Sequence, residues 1–232
     1  MSKLPVLYIS CDRGALSGPL RQPRLRRLIG QDLPVGSVAF ITSRAGAEQP
    51  EIFHQCGQGL LAERLQLLMA EREFDVAIAG SRSPALHVLA ESMIGLAPDE
   101  VIELRLNTGM TSDSYRQIGR CLEALRDQGV LLICLDQKDT GAGEITHHQP
   151  HDASIRNLIQ QWEHEQLWLQ AMSRSNLVGR RKTPVRDTPV ADPTLCVLNT
   201  AFSLGGLKAP QRVFGFSLNE GRQSLAGYGW MQ

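Results

Sequence analysis

Short apolar segments alternate with amphipathic ones over the first two thirds of the chain, and this order constrains the fold more than any other feature. Five apolar segments have the length of buried strands and are mostly rich in β-branched residues, at 5–10, 37–42, 74–80, 100–106 and 129–135. Between them lie segments with helical character, at 58–73, 84–95 and 112–129. Strands that are apolar throughout are covered by helices on both faces. The order predicts one three-layer α/β/α domain over residues 1–232, with a central, mostly parallel or mixed sheet.

The best-marked helix is predicted at 112–129, where Ser112 is expected to cap the start and Gly129 to end the helix. One face of this segment is apolar and should face the core, through Tyr115, Ile118, Cys121, Leu122 and Leu125. A second amphipathic helix is predicted at 153–172.

Near the end of the chain, residues 192–206 predict a helix with Asp192 as its N-cap, Pro193 in its first turn and Gly205 at its end. Two strand-like segments follow, at 212–218 and 224–230. The chain shows no internal repeat and no second domain.

Charge and cysteine content narrow the class of protein. The 24 basic and 24 acidic side chains give zero net charge, which argues against a nucleic-acid or anionic membrane partner. The apolar segments are too short to span a bilayer. Five cysteines are widely spaced, without a CxxC pair, at positions 11, 56, 121, 134 and 196. Reduced thiols in a cytoplasmic protein are the expected state.

The polar residues at the strand ends are the candidates for chemistry, because ligands in α/β proteins bind at the carboxyl ends of strands. Cys11 is expected to be a half-buried thiol, although a neighbouring arginine could activate it as a nucleophile. Three histidines at 147, 148 and 151 suggest a metal site, but a solvated loop is favoured because their spacing matches no ligand pattern.

Several local strings, in order, resemble the class III extradiol ring-cleaving dioxygenases, the LigB and DOPA-dioxygenase superfamily. The family's first strand ends in SHG, where this chain has Ser10-Cys11-Asp12, and its second ends in a serine-alanine-histidine triplet, where this chain has Thr42-Ser43-Arg44. The strand GVLLICLDQKDTG matches a family GVLII strand, DPTLCV matches HPTEEH, and SLAGY matches SMDAY. The resemblance covers residues 5 to 230 and implies the same fold.

Members of this family hold a divalent metal, usually iron, through two histidines and a further ligand. The resemblance implies that the early histidine positions fall on Cys11 and Arg44 here. A later histidine falls near Thr140, or on His147 if an insertion displaces the match. The family's acid/base histidine falls on Pro84, and the histidine that ends HPTEEH falls on Cys196 or Val197. A guanidinium has no lone pair for a metal, so no cofactor is expected.

The resemblance, with these replacements, predicts a metal-free, non-catalytic family member. Such a pseudoenzyme would be a homo-oligomer, an accessory subunit of a homologous catalytic chain, or a protein that binds a small aromatic ligand. The candidate pocket consists of Cys11, Asp12, Arg44, Asp136, Thr140 and Tyr228.

Two alternatives remain open. One is an active oxidoreductase with Fe(II) or Zn in a site rebuilt around Cys11, Asp12 and His147, with Asp136 and Asp139 as further ligands. The other is a metal-independent enzyme that uses the Cys11, Asp12 and Arg44 corner on a carboxylate-bearing substrate.

A more specific expectation concerns Arg44. A buried guanidinium in the position of the lost metal would need a carboxylate to offset its desolvation. We therefore expect Arg44 to fill the pocket and to pair with Asp12, or otherwise with Asp136.

Overall fold

The computed structural model describes residues 3–12, 35–54, 59–81, 84–95, 97–138, 160, 189–208, 210–218 and 223–230. These residues form one eight-stranded mixed sheet and four helices. The strands are β1 (Val6–Asp12), β2 (Ser37–Arg44), β3 (Glu51–His54), β4 (Ala77–Ser81), β5 (Glu100–Asn107), β6 (Val130–Lys138), β7 (Gln211–Leu218) and β8 (Gln223–Trp230). The helices are α1 (Leu60–Ala70), α2 (Pro84–Ile94), α3 (Ser112–Arg126) and α4 (Pro193–Leu204). The predicted α/β class is confirmed.

The strand order is β4-β3-β5-β2-β6-β1-β8-β7. The four central strands β5, β2, β6 and β1 run parallel, so their carboxyl ends share one edge. β3 and β8 pair with this central block in the antiparallel direction. The expected mixed sheet is therefore present, with its parallel part in the middle.

Helices cover both faces of the sheet, as the continuous apolar strands predicted. We call the face that carries α1, α3 and α4 the first face; its core includes Tyr8, Ile41 and Cys134. The second face carries α2, and its core includes Ile9, Cys11 and Phe40. Because side chains alternate along a strand, every second residue of β1, β2 and β6 belongs to the same face.

The helix ends differ slightly from the sequence-based prediction. α4 begins as predicted: Asp192 is the N-cap and accepts a hydrogen bond from the Thr194 backbone N–H. α3 begins at Ser112, but its cap is Thr111, whose hydroxyl accepts a hydrogen bond from the backbone N–H of Ser114. The predicted cap at Ser112 is therefore wrong by one residue. Within the described part of the chain, no helix is both long and apolar enough to cross a membrane.

Candidate functional site

The carboxyl edge of the four parallel strands is the place where the sequence predicted a pocket. Its backbone positions are Asp12 on β1, Lys138 on β6, Arg44 on β2 and Asn107 on β5, because Asp12 pairs with Lys138 and Arg44 pairs with Asn107. β6 lies between β1 and β2, so the ends of β1 and β2 are two strand spacings, about 10 Å, apart.

Cys11 and Arg44 share the second face, but their surroundings differ. Cys11 is completely buried and belongs to the apolar core under α2. Arg44 lies on the same face of β2 as Phe40 and Thr42, and its side chain is exposed to solvent. The prediction that Arg44 is buried in the position of a lost metal is therefore wrong.

Asp136 lies on the other side of the sheet, which also excludes the proposed pair between Arg44 and Asp136. Asp136 is two residues after Cys134 and therefore projects from the first face. Arg44 is four residues after Phe40 and therefore projects from the second. The sheet itself separates the two charges, because strand pairing fixes which face each side chain takes. The side chain of Asp12, the partner expected first, lies outside the described residues, as do Asp139, Thr140 and His147. The helix predicted at 153–172 also lies outside them, apart from residue 160.

Asp136 is instead the centre of a buried polar cluster that links the sheet to the start of α4. We call Tyr8, Ser10, Asp136 and Thr194 the Asp136 cluster. The hydroxyls of Tyr8 and Ser10 donate to Asp136 Oδ2 at 3.1 and 3.2 Å. The Thr194 hydroxyl lies 3.2 Å from both carboxylate oxygens. All four residues are buried, so the cluster is closed to solvent.

The electrostatics of the Asp136 cluster favour a positioning role. Burial, followed by the charge and hydrogen bond of Asp136, raises the pKa of Tyr8 well above its usual 10.0. At neutral pH the Tyr8 phenol therefore keeps its proton and donates a hydrogen bond to the carboxylate. It cannot serve as a base. Thr194 lies in the first turn of α4, where a negative charge is stabilised by the helix dipole. The cluster fixes this helix end over β1 and β6.

Tyr228, another predicted pocket residue, pairs with Tyr8 across β1 and β8. Its side chain is buried and belongs to the core of the first face. Tyr228 is therefore a core aromatic residue.

A second polar group, which the sequence-based analysis missed, lies on the second face. Thr42 donates a 2.8 Å hydrogen bond to Glu103, and Arg105 holds both oxygens of the same carboxylate at 3.2 and 3.3 Å. The Arg105 guanidinium also lies 4.0 Å from the centre of the Phe53 ring. The detectable signal was the segment EVIELRL, in which Glu103 and Arg105 occupy alternate positions among apolar residues.

The side-chain amide of Asn107, the last residue of β5, is incompletely hydrogen-bonded among the described residues. Its Nδ2 donates to the Glu48 backbone carbonyl at 3.3 Å. Its Oδ1 is buried and has no hydrogen-bond partner among the residues that the structure describes. Such buried acceptors are rare in folded proteins. Because Asn107 is paired with Arg44, this buried acceptor and the exposed Arg44 side chain belong to neighbouring strands at the same edge of the sheet.

The metal positions implied by the resemblance do not fit a divalent ion in the described part of the chain. One carries the Arg44 guanidinium, which has no lone pair to donate. In the described ranges, no three histidine, cysteine or acidic side chains are grouped as a metal site would require. Cys11, at the other position, is enclosed by apolar side chains.

Comparison with known proteins yields a fold and no family. A scan against family models finds no match, and a search of curated proteins finds none either. Among solved structures, the chain is similar to the crystal structure of the uncharacterized protein JW3007 from Escherichia coli K12. The two share 14% sequence identity with a TM-score of 0.53, over 98% of this chain and 99% of that one. At this identity the likeness shows a common fold alone.

Proposed function

We propose that this chain is a non-catalytic relative of the extradiol dioxygenases that binds a small aromatic carboxylate through Arg44. The observation that carries the proposal is the exposed side chain of Arg44 at the carboxyl edge of the parallel strands, where the resemblance places a metal ligand. A guanidinium binds a carboxylate through two parallel hydrogen bonds.

The chemistry of the strand ends supports binding without ring cleavage. Ring cleavage in the family that the sequence resembles requires a metal with open positions, and Arg44 would repel such an ion. Nucleophilic use of Cys11 is disfavoured by its burial among apolar side chains, where a thiolate is poorly stabilised. The protein would act alone or beside a homologous catalytic chain, in the cytoplasm, where its buried free cysteines stay reduced.

Calorimetric titration with benzoate and with dihydroxybenzoates tests the proposal. We expect saturable binding that Arg44→Ala weakens at least about tenfold, since a charge-assisted hydrogen bond contributes about 1.5–3 kcal/mol. Arg120→Ala, which removes an exposed arginine from α3, is the matched control and should leave binding unchanged. Equal binding by both variants would contradict the role of Arg44.

Metal analysis of protein purified without chelators separates the alternatives. The proposal predicts less than stoichiometric iron and zinc, and no cleavage of catechols. Stoichiometric metal together with ring opening would establish the rebuilt metal site. Metal-free turnover that disappears in Cys11→Ser would instead establish the Cys11 corner as an active site.

A further inference from the structure

The outer surface of α1 carries two highly exposed leucines. The inner side of this helix packs Leu61, Leu65 and Met69 into the core of the first face. On the outer side, Leu60 is 70% exposed and Leu67 is 67% exposed. These two residues are seven positions apart, which is close to two helical turns, so they lie in one stripe along the helix. Exposed leucines that are scattered singly are ordinary, whereas these two are aligned along one helix.

The residues between the two leucines complete the stripe with opposite charges. Glu63 and Arg64 are both exposed, and helical geometry places them on the same side as Leu60 and Leu67. The order along the stripe is therefore apolar, acidic, basic, apolar. This order is complementary to itself when a second helix runs in the opposite direction.

We propose that the stripe of Leu60, Glu63, Arg64 and Leu67 is the two-fold interface of a homodimer. A symmetry axis between Glu63 and Arg64 sets each Leu60 opposite Leu67 of the second copy. The same axis sets each Glu63 opposite Arg64 of the second copy. A single placement thus satisfies all four residues twice, as an isologous interface requires. An unrelated amphipathic partner would have no reason to match this register.

The neighbouring edge of the sheet extends the apolar surface. α1 packs on β3, β4 and β5, and β4 is an edge strand of the sheet. Ile78 on β4 is 43% exposed and pairs with Ile52, so it lies on the first face with α1. A contact built on one short helix and an edge residue is small, and small interfaces give weak, concentration-dependent dimers.

Sedimentation of the full chain over a concentration series tests the interface. We expect reversible dimerisation, and we expect Glu63→Arg to weaken it about ten- to thirtyfold, because two attractive pairs become repulsive. The double variant Glu63→Arg/Arg64→Glu reverses both charges and should restore association. Val88→Arg adds a charge to an exposed residue of α2, on the second face, and should have no effect.

Oxidative cross-linking supplies an independent measurement. Leu60→Cys/Leu67→Cys should yield a covalent dimer, whereas a bond within one helix is excluded because the positions are about 10 Å apart. A monomer at every concentration, or a dimer that Glu63→Arg does not weaken, would overturn the proposal. So would a Glu63→Arg/Arg64→Glu variant that fails to associate while it remains folded. Binding of a different protein to a strictly monomeric chain would also refute it.

Discussion

The Tyr8 phenol donates a hydrogen bond to Asp136 Oδ2 at 3.1 Å, between two residues that are 128 positions apart. Ser10, on the same strand as Tyr8, and Thr194, at the start of α4, bond to the same carboxylate. One buried acidic side chain thus joins β1, β6 and α4. The stability of this junction can be measured directly.

Tyr8→Phe should lower the free energy of unfolding by about 1.5–3 kcal/mol, because it removes a hydrogen bond to a charged group in the core. Thr200→Val is a matched comparison, since the buried Thr200 hydroxyl donates to the neutral backbone carbonyl of Cys196 at 3.1 Å. Its loss should be smaller, about 0.5–1.5 kcal/mol. Urea unfolding of the two variants measures the difference. A smaller loss for Tyr8→Phe than for Thr200→Val would contradict this account of the Asp136 cluster.

Stability should fall at alkaline pH. Burial raises the pKa of Tyr8 above the 10.0 of an unfolded tyrosine, and it raises the pKa of Cys196 from 9.0 to about 11. The folded chain then holds protons that the unfolded chain releases. The resulting stability is complete below pH 9 and is lost as pH rises above it.

Urea unfolding at pH 7 to 11 measures this dependence. Tyr8→Phe should flatten the curve above pH 10, where the tyrosine contributes a slope of about 1.4 kcal/mol per pH unit. An unchanged slope in that variant would show that Tyr8 titrates normally.

Gly119 permits the close contact of α3 with α4. A Cβ at this position would lie 2.7 Å from both the Ser203 Cβ and the Thr200 backbone oxygen. Gly119→Ala should therefore destabilise the fold by about 1–3 kcal/mol, although alanine is the better helix former. At Gly80 an added Cβ meets nothing within 4 Å, and Gly80→Ala is the control, expected within about 0.5 kcal/mol of the parent. Thermal unfolding that ranks the two in the opposite order would contradict the prediction.

The side chain of Arg126 links the end of α3 by hydrogen bonds to Leu4, just before β1, and to Leu204, at the end of α4. Its buried side chain donates from Nε to the Leu4 carbonyl at 2.7 Å and from Nη1 to the Leu204 carbonyl at 2.9 Å. Arg126→Met keeps much of the volume but leaves both carbonyls without this donor, at a cost of about 1.5–3 kcal/mol. Arg120→Met, on an exposed position of the same helix, should be nearly neutral in urea unfolding. Similar stabilities would rule out the bridging role.

Thiol labelling checks the assignment of Cys11 as a buried core residue. Cys11, Cys121, Cys134 and Cys196 are all free and buried. In a Cys56→Ser background, the native protein should show no fast reaction with a disulfide reagent, and four thiols should react after unfolding. One equivalent of fast reaction, absent when Cys11→Ser is added, would show an accessible Cys11 and support its use as a nucleophile.

The sequence predicted the fold well wherever apolar residues form a continuous run. Each of the five early strand predictions overlaps an observed strand, as do the two near the end of the chain. β3 was missed because it has four residues, follows Pro50 and buries only Ile52 completely. Its antiparallel pairing with β5 depends on long-range contacts that no local pattern encodes.

The candidate site was predicted less well, because strand ends identify an edge but not a face. Arg44 and Asp136 were both placed correctly at the carboxyl ends of their strands, yet they project from opposite faces of the sheet. Tyr8 escaped notice because it is embedded in an apolar strand, and its partner Thr194 is distant in sequence. Only the strand register brings such residues together.

The position of β1 has a consequence for how the protein is made. β1 lies between β6 and β8, so residues 6–12 find one neighbour only after residue 138 is synthesised and the other only after residue 230. During synthesis, the backbone edges of this apolar strand therefore stay unpaired until the residues of β6, and later those of β8, have been added. Nascent chains in that condition are the ones that chaperones bind, and their folding is slowed by the long loops that must close.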